Sequence, residues 1–125
     1  MTLQLSVAVQ NARLDAIETT IAASAVLKMR TGAPPADCAT ADSGTVLATA
    51  VLPADWMAAA AAGSKAKSGT WEDLSADANG TVGHFRIYET TGTTCHLQGT
   101  VTITAGGGDM TVDNTVFATG QAFSV

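Results

Sequence analysis

The sequence TVGHFRIYE at residues 81–89, followed after a short interval by TCHLQGTVTIT at residues 94–104, decides the fold of this chain. Apolar and polar side chains alternate along both stretches, as in half-buried strands. Placing Phe85 and Ile87 on the same face as Leu97 requires paired residue numbers with an even sum. That register favours an odd-length loop, such as residues 91–93. The two stretches therefore predict an antiparallel β-hairpin.

The other face of the hairpin is polar, and we expect it to point outward. It carries His84, Arg86, Tyr88, His96 and Thr100. In the predicted register His96 lies opposite Tyr88, and His84 lies opposite Thr100. Cys95 precedes His96 directly, so its side chain is expected on the apolar face. Because no Cys or carboxylate is placed as a third ligand, we expect solvated or interface histidines and no metal site.

Upstream of the hairpin, the sequence predicts one helix and two further strands. Ser6 to about Ala23 is expected to be an amphipathic helix with Ser6 as its N-cap. Its apolar positions are Val9, Ala12 or Leu14, Ile17 and Ile21, with Arg13, Asp15 and Glu18 off that face. Val26–Thr31 alternates like a strand, and Thr45–Leu52 is apolar on both faces, like a covered strand.

Between residue 52 and the hairpin the pattern is weaker. Residues 57–62 are compatible with a short helix, a strand or a mobile loop. Residues 63–79 are polar and contain Trp71, which we expect to be packed. Short strands are expected at residues 110–112 and 121–125. The predicted fold is mainly β: a single-domain antiparallel β-sandwich or small barrel preceded by one N-terminal α-helix. Residues 1–24 form the N-terminal segment and amphipathic helix, and residues 25–125 the β domain.

The composition argues against two classes of partner, nucleic acids and membranes. Only 14% of the 125 residues are charged, the net charge is −5, and Lys and Arg together number 6. Six basic residues cannot neutralise a row of phosphates, so we expect no nucleic-acid partner. The alanine run at residues 58–62 is far too short to span a membrane, and no signal peptide is readable. We expect synthesis in the cytoplasm and no membrane partner.

Chemistry-bearing motifs are scarce. There is no Gly-x-Ser-x-Gly motif, and the glycines at residues 106–108 lack the lysine and the following helix of a phosphate loop. We therefore expect a non-enzymatic protein with no catalytic residues, cofactor or metal. Cys38 and Cys95 have no metal spacing. Reduced thiols are the favoured interpretation, and a bridge within or between subunits stays open.

Several stretches of this chain resemble a group of small virion structural proteins of tailed bacteriophages and prophages. They are NARLDAI at 11–17, LKMRTG at 27–32, SADANGT at 75–81, HFRIY at 84–88, GTT at 92–94 and QGTV at 98–101. The resemblance spans nearly the whole chain and rests on turn and strand patterns. It carries over no catalytic or ligand-binding motif.

The resemblance implies a β-rich virion component, with a capsid decoration (cement) protein favoured. Its partner would be the major capsid protein or other virion subunits, and it would act as a homo-oligomer, with a trimer favoured. It would be located in the virion, assembled in the bacterial host cytoplasm. The expected shell or subunit contacts lie in the N-terminal segment and the residue 32–44 loop: Leu3, Leu5, Val7, Val9, Pro34 and Pro35.

Two alternatives stay open. A tail, baseplate or head-fibre component would also use a small β domain, and the sequence does not separate it from a capsid protein. A surface carbohydrate- or ligand-binding β module would use a stacking platform formed by Trp56, Trp71, Tyr88 and His96. Because large apolar residues are few, burial of the two tryptophans in the core is the favoured interpretation of those rings.

Overall fold

One helix begins the fold, and its bounds follow from local chemistry. The computed structural model describes residues 2–125, and α1 runs from Val7 to Ile21. The Ser6 hydroxyl accepts a hydrogen bond from the Val9 N–H (3.3 Å), which confirms Ser6 as the N-cap. At the other end Ala22 (φ 69°) and Ser24 (φ 55°) adopt left-handed backbone angles that terminate the helix.

Eight strands follow. They are β1 (Val26–Thr31), β2 (Val46–Val51), β3 (Glu72–Asp73), β4 (Gly80–Tyr88), β5 (Cys95–Ile103), β6 (Met110–Val112), β7 (Val116–Phe117) and β8 (Phe123–Ser124). A six-stranded sheet has the order β2-β1-β4-β5-β6, with β7 paired to β4, and β3 and β8 form a small second sheet. The predicted mainly β domain with one N-terminal helix is confirmed.

The large sheet is mixed, whereas a wholly antiparallel arrangement was predicted. β5 and β6 are parallel, with Val101 opposite Met110. Residues 104–109 turn the chain back beside β5, where the Asp109 carboxylate accepts hydrogen bonds from the N–H and hydroxyl of Thr100 at 2.9 and 2.8 Å. This side-chain anchor positions a parallel strand without a helical crossover.

The β4–β5 hairpin confirms the predicted register over most of its length. His84 lies opposite Thr100 and Ile87 opposite Leu97, both pairs with even sums. A β-bulge then makes Tyr88 pair with Cys95, so His96 is the extra residue. The predicted pairing of His96 with Tyr88 is therefore wrong. The bulge also turns Cys95 to the polar face of the sheet and leaves a loop of residues 89–94 that is longer than predicted.

The apolar core lies on one face of the large sheet. Leu27, Met29, Phe85 and Ile87 fill it, and Trp56 and Trp71 pack against each other with ring centroids 5.7 Å apart. Both indole N–H groups donate to backbone carbonyls: Trp56 to Ala22 O (3.0 Å) and Trp71 to Trp56 O (3.1 Å). The predicted packing of Trp71 is confirmed.

The helix docks on an irregular arm, residues 57–67, that contains two isolated β-bridges and no helix. Ile21 is buried, while the docking contacts are polar. Asn11, Asp15 and Glu18 accept hydrogen bonds from the backbone N–H groups of Gly63 (2.9 Å), Ala60 (2.8 Å) and Met57 (3.2 Å). Asp15 and Glu18 were predicted to lie off the packed face. That prediction is wrong because the arm presents unpaired N–H donors that need acceptors.

Candidate functional site

The second face of the large sheet is polar and buried, although an outward, solvated face was predicted. His84, Arg86 and Tyr88 of β4 are exposed by only 0%, 1% and 1%, and Arg30 of β1 by 6%. Charged side chains are rarely buried to this degree unless they are paired. These buried side chains therefore need hydrogen-bond and charge partners in the segment of the chain that covers this face.

The cover is the loop of residues 32–44, which we call the cover loop. Its Asp42 carboxylate pairs with Arg30 Nη2 (2.7 Å) and with Arg86 Nη1, and it accepts the Tyr88 hydroxyl hydrogen bond at 2.7 Å. Arg86 also donates to the carbonyls of Cys38 (2.9 Å) and Thr40 (3.1 Å). A guanidinium group has enough N–H donors to satisfy an irregular loop that has no strand partner.

The charges of this cluster shift two pKa values in opposite directions. Burial opposes ionisation of Asp42, but the Tyr88 hydroxyl and the Arg30 and Arg86 charges lower the pKa of its carboxyl. Burial first, and the hydrogen bond to Asp42 second, raise the pKa of Tyr88 to about 12. At neutral pH the cluster therefore holds two cations, one anion and a neutral phenol, an arrangement suited to fastening the loop.

Further contacts hold the cover loop along its length. His84 Nδ1 donates to Gly32 O (2.9 Å), and Gln98 Nε2 donates to Pro35 O (2.7 Å). At the edge of the cluster, the Lys28 ammonium lies 4.8 Å from the centre of the Tyr88 ring. Pro34 and Pro35, predicted as shell contacts, are half-buried in a loop whose inner side is engaged with the sheet. Only the outer side of that loop is free for a partner.

The cover loop also brings the two cysteines to one place. Cys38 and Cys95 line a cavity of about 340 Å³ together with Arg86, and both are half-buried thiols. Arg86 Nε donates to Cys95 Sγ at 3.1 Å. The sequence placed Cys95 on the apolar face, and the bulge at His96 explains the difference.

The N-terminal segment presents apolar side chains to solvent. Leu3, Val7 and Val9 are exposed by 85%, 52% and 46%, and Leu5 is half-buried where its carbonyl accepts from Gln10 Nε2 (2.8 Å). Beside it, an open groove of about 430 Å³ runs along α1, lined by Gln10, Arg13, Leu14, Ile17 and Gly63. The N-terminal segment and this groove together leave apolar side chains uncovered by the rest of the chain.

The proposed stacking platform is not exposed. Trp56, Trp71 and Tyr88 are buried, and only His96 lies on the surface. His84 and His96 were predicted to share an outward face, but His84 is buried and bonded to the cover loop. Within residues 2–125, no three His, Cys, Asp or Glu side chains gather as metal ligands would, and no helix is long and apolar enough to cross a membrane.

Comparison with known proteins adds no relative. No family model, no curated protein and no solved structure matches this chain.

Proposed function

We propose that this chain is a virion structural protein of a tailed bacteriophage, and that it decorates the head shell as a cement protein. It acts by adding buried interface between capsid subunits, as a homo-oligomer with a trimer favoured. The proposal rests on the resemblance of the strand and turn segments and on one structural observation. That observation is the N-terminal segment, whose Leu3, Val7 and Val9 side chains are uncovered.

Uncovered apolar side chains grouped on one segment favour a docking role. Removing such side chains from water contributes about 25 cal/mol per Å² of apolar area, so a few of them stabilise a contact appreciably. A specific interface buries about 1,200–2,000 Å² of accessible surface in total. The short N-terminal segment does not supply that much buried surface alone. The adjoining α1 groove would extend this contact, the outer side of the cover loop, on the opposite face of the sheet, would offer a second one, and repetition over a lattice multiplies the effect.

The N-terminal contact is tested by point variants, because deletion of the segment would also remove the Ser6 cap. The variant Leu3→Ser/Val7→Ser/Val9→Ser should keep the thermal transition of the native domain and lose binding to undecorated shells. The matched control is Val51→Ser/Leu74→Ser/Val116→Ser, which changes three exposed apolar residues elsewhere. Normal decoration by the N-terminal variant, with loss of decoration by the control, would assign the contact to a different surface.

The location in the particle is tested by copy number. Quantitative mass spectrometry of purified particles should find hundreds of copies, with electron microscopy placing them on the head. A few to a few dozen copies would indicate the tail, baseplate or fibre component instead. Absence of the protein from purified particles would contradict any virion role.

A further inference from the structure

We propose that Cys38 and Cys95 form an intrachain disulfide that closes the cover loop covalently onto the β4–β5 hairpin. The inference goes beyond the proposed function and does not depend on it. It assigns an oxidation site to a pair of residues that lie far apart in the sequence and come together only when the cover loop folds over the sheet.

Arg86 contacts both cysteine residues. Its Nε atom donates to Cys95 Sγ at 3.1 Å, and its Nη2 atom donates to the Cys38 carbonyl at 2.9 Å. These two nitrogens belong to one rigid planar group, so the Cys38 backbone and the Cys95 sulfur are neighbours. Both residues also line the same cavity.

The pKa of Cys38 agrees with a position close to Cys95. Burial, followed by the neighbouring Cys95 thiol, raises the pKa of Cys38 to about 11. A thiol with that pKa is a poor nucleophile at pH 7, since only about one molecule in 10⁴ carries the thiolate. The reduced form should therefore persist where reductants are abundant and oxidise slowly after transfer to an oxidising environment.

The oxidant is a low-molecular-weight disulfide such as oxidised glutathione. One cysteine thiolate attacks a glutathione sulfur, forming a mixed disulfide and releasing one glutathione thiolate, which takes up a proton. The second cysteine thiolate then attacks the protein sulfur of that mixed disulfide and releases the second glutathione. Two protein thiols are oxidised, one glutathione disulfide is reduced, and in either order Cys38 acts once as the nucleophile.

The test incubates the full chain under native conditions with oxidised glutathione at several pH values. The expected product is a monomer lighter by two hydrogen atoms, whose peptide map links the peptides containing Cys38 and Cys95. Its formation should accelerate as the pH rises. Its thermal midpoint should exceed that of the reduced protein by about 5 °C or more, because a long loop is closed.

Three results would overturn the proposal: no linked product at any of the pH values, stable glutathione adducts on both cysteines, or disulfide-linked dimers. Cys38→Ser and Cys95→Ser provide matched controls. Each should bind at most one glutathione and gain no thermal stability from the oxidant. If either variant fails to fold, the peptide map of the unaltered protein still decides the question.

Discussion

The Asp42 carboxylate is held against Arg86, a nearly fully buried residue near the C-terminal end of β4, and a second buried arginine, Arg30, binds its other oxygen at 2.7 Å. One aspartate of an exposed loop therefore pairs with two buried cations of the sheet, in a chain with few charges. The cover loop cannot leave the sheet without exposing both guanidinium groups.

Replacing Asp42 should destabilise the domain strongly. Asp42→Asn leaves Arg30 and Arg86 buried without a counter-charge, and we expect a loss of about 2–4 kcal/mol in the free energy of unfolding, moderated by the partial exposure of the Asp42 side chain. Urea denaturation measures it. The control is Asp55→Asn at an exposed position, which should change the free energy by less than about 0.5 kcal/mol. Equal effects of the two substitutions would show that the ion pairs contribute no stability.

The single tyrosine of the chain makes its own titration visible by ultraviolet absorbance. Folding raises the pKa of Tyr88 from 10.0 to about 12, because burial and the Asp42 carboxylate disfavour the phenolate. Since the folded pKa is the higher one, this contribution to stability is complete below pH 10 and is lost as the pH rises toward 12. Circular dichroism at the same pH values monitors the fold. A midpoint near 10 in the folded protein would contradict the buried contact.

Acid should weaken the β4–β5 hairpin through Glu89. Its carboxylate accepts hydrogen bonds from the Thr91 hydroxyl (2.6 Å) and from the N–H groups of Thr94 (2.7 Å) and Thr93 (3.1 Å), and these bonds hold the pKa of Glu89 far below its ordinary value of 4.5. Because the folded pKa is the lower one, the contribution is present above about pH 4.5 and is lost as the pH falls.

Thermal midpoints measured from pH 7 to pH 2 provide the check. Glu89→Gln should lower the midpoint at pH 7, and its difference from the unaltered protein should shrink at low pH. The matched control is Glu72→Gln, an exposed carboxylate on β3, which should follow the profile of the unaltered protein. A constant difference across the pH range would exclude a role for the Glu89 charge.

Lys65 fastens α1 to the 57–67 arm. Its side chain is 3% exposed and its ammonium lies 2.7 Å from Asp15 and 3.1 Å from Glu18, which together raise the pKa of Lys65. Lys65→Ala should cost about 1–2 kcal/mol and accelerate hydrogen exchange in α1 more than in β4. The control is Lys67→Ala, an exposed lysine of the same arm. Unchanged exchange in α1 would show that the helix is held by its apolar contacts alone.

Residues close together in the chain determined the elements that the sequence predicts well. The Ser6 cap, the alternation along β1 and β4 and the even register of the β4–β5 pair all depend on neighbouring residues or on one apolar face. Each is confirmed because local propensity and burial of that face act in the same direction. The β-bulge was not readable, since Cys95 and His96 alternate regularly in the sequence.

Only the tertiary structure decided which face of the sheet meets solvent. Arg30, His84, Arg86 and Tyr88 have the polarity of a solvated face, and alternation alone cannot distinguish such a face from one paired to a distant aspartate. Asp42 lies in a loop rich in glycine, proline and alanine, and nothing in the local sequence distinguishes it from Asp37 of the same loop. Burial of the arginines depends on Coulomb and hydrogen-bond energies between segments 12 residues apart for Arg30 and Asp42 and 44 residues apart for Arg86 and Asp42. Those energies exist only after the chain has folded.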